Sequence, residues 1–138
     1  MNTKRNARSA FTLIELLLVM VILVVLASVV VPQFAKRRLQ ASITKATSDI
    51  KTLETAVSAF EIDCGRYPTN AEGLAVLVNN PNQSGWHGPY VKLVPSDPWG
   101  TAYLYEAPGT HLPDSFDLYS AGPDQHEGGD DDIVNWQG

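Results

Sequence analysis

The chain has 138 residues, of which 44% are hydrophobic and 18% are charged, an ordinary composition for a globular protein. Its net charge is −5 and no extended basic surface is apparent that could follow a nucleic-acid backbone, which argues against nucleic-acid binding. The part outside one long apolar segment, about 100 residues, suffices for one small core and not for two domains.

That apolar segment runs from Phe11 to Val31, with Glu15 as its only charge, and Pro32 follows it. About 20 apolar residues in a helix cross a bilayer core, so we expect residues 11–32 to form a transmembrane helix. The residues before it include no acid and several bases: Lys4, Arg5 and Arg8. The positive-inside rule therefore leaves the N-terminus in the cytoplasm and residues 33–138 on the other side. A carboxylate inside such a helix is costly and requires a partner.

Three interpretations of this N-terminal part remain. It could be a secretory signal peptide cleaved after Ala27, or a plain signal anchor. In the third interpretation, a basic leader, a small residue at Ala10 and the string Phe11-Thr12-Leu13-Ile14-Glu15 before an apolar helix resemble a type IV prepilin.

The prepilin resemblance implies that a prepilin peptidase cleaves between Ala10 and Phe11 and methylates the new amino group of Phe11. The helix then stays in the mature protein, and Glu15 faces the N-terminal amine of a neighbouring subunit. A carboxylate paired with an ammonium group explains the charge that the other two interpretations leave alone. Ala10 stands where the family usually has glycine, but its side chain is small enough for the same pocket.

Beyond Pro32, the residues from Ala35 to about Asp63 show helical periodicity. Apolar residues recur at alternating steps of four and three: Leu39, Ile43, Ala46, Ile50, Leu53, Val57 and Phe60. The pattern predicts a helix with one apolar stripe, continuous with the membrane helix, bent near Pro32 and closed at Cys64-Gly65. We expect Cys64 to be a small, partly buried residue. The basic triplet Lys36-Arg37-Arg38 is expected among lipid headgroups.

The next segments predict short elements. Thr69 or Asn70 can cap a short helix through Val78. Tyr90 and Trp99 are expected to cover the helix stripe, with a turn at residues 97–100. Residues 101–105 and 115–120 are rich in aromatic and β-branched residues and predict two antiparallel strands.

Every charged residue after Lys92 is an acid, and the acids are densest between Asp124 and Asp132. Glycines within this segment allow its carbonyls to turn inward, and the apolar residues 133–136 that follow it indicate that both ends are docked. Adjacent carboxylates held in a docked loop need a counter-charge. Calcium suits several carboxylates with backbone carbonyls better than magnesium does, and zinc would require more His or Cys ligands.

Several strings resemble the major pseudopilins of type II secretion systems: Gly65-Arg66-Tyr67-Pro68-Thr69, Asp97-Pro98-Trp99-Gly100 and Asp131-Asp132-Ile133. In that family the last string belongs to a calcium loop. The resemblance implies side-chain ligands from Asp124, Asp131 and Asp132 and carbonyl ligands from Ala121 and Gly129. Gln125 stands where the family has glycine, which leaves the direction of the local carbonyls open.

The resemblance implies an α+β, type IV pilin-like fold: a long N-terminal helix, transmembrane in its first half, packed on a small domain with short helices, a small antiparallel sheet and a calcium-binding loop. It divides the chain into a leader (1–10), a transmembrane and filament-core helix (11–32) and a periplasmic domain (33–138). No catalytic constellation, phosphate loop or HExxH motif is present in the sequence, so we expect no enzyme.

The implied function is that of the major structural subunit of a periplasmic pseudopilus, which exports folded proteins across the outer membrane. The implied partners are further copies of the chain, minor pseudopilins, the prepilin peptidase, the inner-membrane assembly platform and, before assembly, the bilayer of the inner membrane. Two alternatives remain: a type IV pilin or competence or adhesion pilus subunit, and a secreted sugar-binding module released after Ala27.

Overall fold

The computed structural model describes residues 10–137, apart from the side chains of residues 31 and 32. Its elements are helix α1 (Leu13–Cys64), a short 3-10 helix (Gly73–Leu77) and strands β1 (Leu104–Glu106), β2 (Asp117–Ser120) and β3 (Ile133–Val134). The chain divides into two compact units, of which the first ends at Leu39 and the second begins at Gln40. Residues 1–9 of the predicted leader lie outside the described residues.

The first unit contains the apolar part of α1. Helical geometry begins at Leu13 and continues without interruption through position 32, the end of the predicted transmembrane helix. A window of this part has a mean hydropathy of 3.2 and is not buried within the protein, so by length and composition it can cross a membrane. The large apolar side chains described between Phe11 and Val30 are all exposed.

The second unit is built on the predicted apolar stripe of α1. The stripe residues from Ala46 onward are almost completely buried: Ala46, Ile50, Leu53, Val57 and Phe60. Leu39, in the first unit, is 45% exposed. The helix ends as predicted, because Gly65 has a φ of +73° and its N–H donates to the carbonyl of Glu61 at 2.7 Å. Cys64 is partly buried against the core, as expected.

The predicted short helix is a 3-10 helix and begins later than expected, at Gly73. Thr69 and Glu72 form a capping box before it: the Thr69 N–H donates to Glu72 Oε2 at 2.8 Å, and the Glu72 N–H donates to Thr69 Oγ1 at 3.3 Å. With three residues per turn, Leu74 and Leu77 share one face and are both buried.

The three strands form one antiparallel sheet in the order β1-β2-β3. The two strands expected from the sequence are present and pair in the register Leu104↔Tyr119, but both are shorter than predicted. The third strand was not predicted, because Ile133–Val134 is too short to show alternation. Phe116 and Leu118 bring the sheet side of the core against the helix stripe.

Aromatic residues close the other side of the stripe, although one of them is not the residue predicted. The Tyr90 ring contacts Phe60 edge-on, with centroids 6.0 Å apart, as expected. Trp86 packs against Tyr90 at 5.8 Å and contributes to the core, whereas Trp99 lies in the turn at residues 97–100. The expectation for Trp99 was wrong, because the Asp97 carboxylate accepts the Trp99 N–H at 3.0 Å and holds this residue in the turn.

Candidate assembly site and acidic loop

The N-terminal end of α1 carries the first candidate site. Phe11 is 85% exposed, and Thr12 precedes the first helical residue. The Thr12 N–H and hydroxyl both donate to Glu15 Oε2 at 2.8 Å, and the Glu15 N–H donates to Thr12 Oγ1 at 3.3 Å. This is a capping box, which satisfies backbone donors that a helix start otherwise leaves unpaired.

The capping box gives Glu15 polar partners within its own chain, which the sequence interpretation missed. The signal for it, a threonine three residues before a glutamate, was present at Thr12 and Glu15. Hydrogen bonds from Thr12 do not neutralise the charge of Glu15, however. In an apolar environment the carboxylate therefore still benefits from a cation.

The acidic loop, residues 121–132, connects β2 to β3. Its two ends are fixed by the sheet, since Ser120 pairs with Ile133 and Tyr119 with Val134. Ala121 at the entry is 2% exposed, and its neighbour Ser120 bonds through Oγ to the buried carboxylate of Asp97. Both ends of the loop are thus docked, as predicted.

Positive φ angles shape the loop. Gly122 has a φ of +68°, and a Cβ at this position would overlap the carbonyl of Asp131. Gln125 has a φ of +61°, so the position where the family has glycine keeps a left-handed conformation despite its side chain. The Gln125 side-chain amide donates to the carbonyl of Trp99 at 3.2 Å, which compensates for part of the strain.

The predicted ligand carboxylates face inward to different degrees. A Cβ on Gly129 would lie 2.7 Å from Asp131 Oδ1 and 3.7 Å from Asp124 Oδ2, so both carboxylates border the same small space. Asp131 Oδ2 accepts the Asp124 N–H at 3.3 Å, and Asp132 Oδ2 accepts the Gly128 N–H at 2.8 Å. Asp132 Oδ1 is buried and has no hydrogen-bond partner.

The predicted ligand residues of the acidic loop have the type of donor atom that a hard cation prefers. The predicted side-chain donors are all carboxylate oxygens, and a buried oxygen without a partner is costly unless something binds it. Within residues 10–137, however, no three His, Cys, Asp or Glu side chains are already gathered in a metal-holding cluster. The ligand set Ala121, Asp124, Gly129, Asp131 and Asp132 therefore stays a prediction.

A second carboxylate centre beside the sheet was not predicted. Asp117 is 1% exposed and accepts hydrogen bonds from the N–H groups of His111 at 2.8 Å and Leu112 at 3.0 Å. Burial alone would raise the pKa of Asp117, but the hydrogen bonds from His111 and Leu112 outweigh it and lower this pKa. Asp117 thereby organises the 107–115 loop, a role that depends on tertiary contacts.

Two of the three tryptophans that could serve a sugar site are engaged in packing. The Trp86 indole N–H donates to the carbonyl of Val76 at 2.9 Å, and the ring of Trp136 stacks on His111 with centroids 4.0 Å apart. A carbohydrate platform needs an open ring face. The packing of these two rings speaks against the sugar-binding alternative.

Comparisons with known proteins agree with the geometry of the N-terminal apolar helix and of the C-terminal unit. Residues 33–136 match the family model for type II secretion system (T2SS) protein G, and residues 5–31 match that for the prokaryotic N-terminal methylation motif. The chain is 46% identical to type II secretion system core protein G of Pseudomonas aeruginosa, with 96% of this chain and 98% of that protein covered.

Two further similarities support the same assignment. Type II secretion system core protein G of Escherichia coli K12 is 43% identical, with 95% of this chain and 92% of that protein covered. The crystal structure of the major pseudopilin from the type 2 secretion system of enterohaemorrhagic Escherichia coli matches with a TM-score of 0.64 and 33% identity. That match covers 73% of this chain and 87% of the other.

Proposed function

Because the chain belongs to the type II secretion system protein G family, we propose that it is the major subunit of a periplasmic pseudopilus. The observation that carries this proposal is the combination of an apolar helical segment that the protein does not bury with a compact C-terminal unit. An apolar helix that is not buried in its own protein needs lipid or other copies of itself around it. In a filament built from such helices, the other copies of the helix surround it.

Before assembly, the helix anchors the subunit in the inner membrane with the C-terminal unit in the periplasm. The match to the N-terminal methylation motif supports processing between Ala10 and Phe11, which retains the helix. Cleavage after Ala27 would instead remove most of the apolar residues and leave a soluble module. The prepilin peptidase, the assembly platform and the minor pseudopilins are the partners that this pathway requires.

During assembly, Glu15 of one subunit pairs with the N-terminal amine of Phe11 in its neighbour. Phe11 is open to such a contact because it precedes the helix and is exposed. The capping box fixes Glu15 at the first turn of α1, and the pairing supplies the cation that Thr12 does not. The contact sets the register of each subunit that is added.

Substitution of Glu15 tests this step. Glu15→Ala is expected to leave membrane insertion unchanged and to reduce the filament fraction released from the periplasm of cells co-expressing the secretion machinery. Glu61→Ala, which removes an acid from the far end of α1, serves as the control and should assemble normally. Normal assembly of the Glu15→Ala variant would refute the role of this residue in register.

Calcium is proposed to occupy the acidic loop and to hold it folded. The buried, unpartnered Asp132 Oδ1 and the shared space beside Gly129 support this assignment. Asp124, Asp131 and Asp132 would supply side-chain oxygens, with carbonyls from Ala121 and Gly129. Bound calcium supplies the positive charge that allows these carboxylates to lie together.

A thermal melt of residues 36–138 tests the metal. Calcium at a hundred times its Kd should stabilise the fold by about 2.7 kcal/mol, which corresponds to a rise in Tm of about 10–20 °C. The rise should disappear with a chelator and in Asp131→Asn, while Asp114→Asn, an acid outside the loop, should keep it. A Tm that does not respond to calcium would remove the metal from the proposal and leave the family assignment intact.

A further inference from the structure

Three consecutive basic side chains, Lys36, Arg37 and Arg38, lie on α1 after the apolar segment and are all exposed. The sequence contains no acid between Glu15 and Asp49, so no position one helical turn away can neutralise them. Among the described residues, ion pairs form at Lys45–Asp49 and elsewhere, but none involves this triplet. The three charges are therefore open to an anionic partner outside the subunit.

The geometry of the helix indicates what kind of partner fits. Successive residues are rotated by about 100°, so three consecutive side chains spread over about 200° of the circumference. A pocket on a partner protein approaches a helix from one side, whereas a lipid leaflet surrounds it. The triplet is therefore arranged for a surrounding surface and not for a single docking face.

The axial position points to the same surface. At about 1.5 Å per residue, residues 36–38 lie about 8–11 Å beyond Val31. The headgroup region adds only about 5–8 Å outside the hydrocarbon core on each side, and Lys and Arg side chains extend back toward it along their apolar stems. The exposed Phe34 side chain lies between the apolar segment and the triplet, within this interfacial layer.

We propose that Lys36, Arg37 and Arg38 form a basic collar that binds the phosphate groups of anionic phospholipids in the periplasmic leaflet. This inference rests on the membrane topology given under the proposed function. The collar fixes the depth of the waiting subunit, and its lipid contacts must be broken before the helix leaves the bilayer. Anionic lipid therefore opposes withdrawal of the subunit for assembly.

The test measures which lipid surrounds the reconstituted full chain. Each variant carries Lys4→Gln, Arg5→Gln and Arg8→Gln, so that the collar is the remaining basic cluster beside the apolar segment. Electron paramagnetic resonance compares the association of spin-labelled phosphatidylglycerol and phosphatidylcholine with protein in phosphatidylcholine vesicles. The collar variant Lys36→Gln/Arg37→Gln/Arg38→Gln is compared with the charge-matched control Lys45→Gln/Lys51→Gln/Lys92→Gln.

Protein with the unsubstituted collar is expected to bind phosphatidylglycerol at least about fivefold more strongly than phosphatidylcholine. This factor corresponds to the free energy of about 1 kcal/mol that one basic side chain gains near an anionic surface. This preference should disappear in the collar variant, persist in the control and weaken in 1 M salt. If both lipids associate equally with protein that stays anchored, the collar proposal is wrong and the proposed anchoring stands. If the collar variant self-associates more weakly and no lipid preference is found, the lipid proposal is wrong and a second copy of the chain is the partner of the triplet. Protein removed from all vesicles by carbonate would overturn both the collar and the proposed anchoring.

Discussion

The ion pair between Arg66 and Glu72 joins the end of α1 to the capping box of the 3-10 helix. The guanidinium donates to both Glu72 carboxylate oxygens at 2.8 Å, and it lies 5.5 Å from the centroid of the Phe60 ring. Thr69 donates to the same carboxylate through its N–H and its hydroxyl. Glu72→Gln removes the charge and leaves the shape of the side chain nearly unchanged.

The hydrogen bonds from Arg66, followed by that from the Thr69 N–H, lower the pKa of Glu72 from 4.5 to about 2. A lowered carboxyl pKa stabilises the fold fully above 4.5, and the gain is lost as the pH falls toward 2. The shift alone would correspond to about 3 kcal/mol. Because the Arg66 side chain is 35% exposed and the Glu72 side chain 23%, solvent screening reduces the expected contribution of the ion pair to stability to about 1–2 kcal/mol.

Urea unfolding of residues 36–138 at pH 7 and at pH 2.5 measures this contribution. Glu72→Gln should lower the free energy of unfolding by about 1–2 kcal/mol at pH 7 and by much less at pH 2.5. Glu61→Gln, in the last turns of α1, serves as the control and should show no comparable dependence. An equal loss at both pH values would show that packing, and not the charge, accounts for the effect and would refute the ion-pair argument.

Two further substitutions test the packing of the C-terminal unit. Phe60→Ala empties a completely buried position beneath Tyr90 and should cost about 3–5 kcal/mol in urea unfolding, while a loss below 1 kcal/mol would contradict its central place in the core. Gly109→Ala would place a methyl group against Asp117 and should cost about 1–3 kcal/mol. A loss below about 0.5 kcal/mol in Gly109→Ala would contradict the steric argument.

The features that were predictable from the sequence depend on local patterns. The stripe from Ala46 to Phe60 repeats with the period of a helix, and Gly65 ends it, so both could be found without tertiary information. The family assignment depended on short strings such as Phe11 to Glu15, and the comparisons confirm it. The docked ends of the acidic loop followed from the apolar residues behind it.

The features that were missed depend on contacts between distant residues. Strand β3 is defined by its pairing with Tyr119 and Ser120, and its own sequence is too short to indicate a strand. Trp86 occupies the place against the core that the sequence predicted for Trp99, because the Asp97 carboxylate holds Trp99 in its turn. The left-handed conformation of Gln125 likewise depends on the loop around it, since glutamine has no preference for that region.

The most direct test of the proposed assembly is the intact mass of the subunit in filaments released from the periplasm of cells that co-express a type II secretion machinery. The proposal predicts filaments whose subunit begins at N-methylated Phe11, with the whole apolar helix retained. A soluble periplasmic protein that begins at Ser28, with no filament fraction, would contradict it.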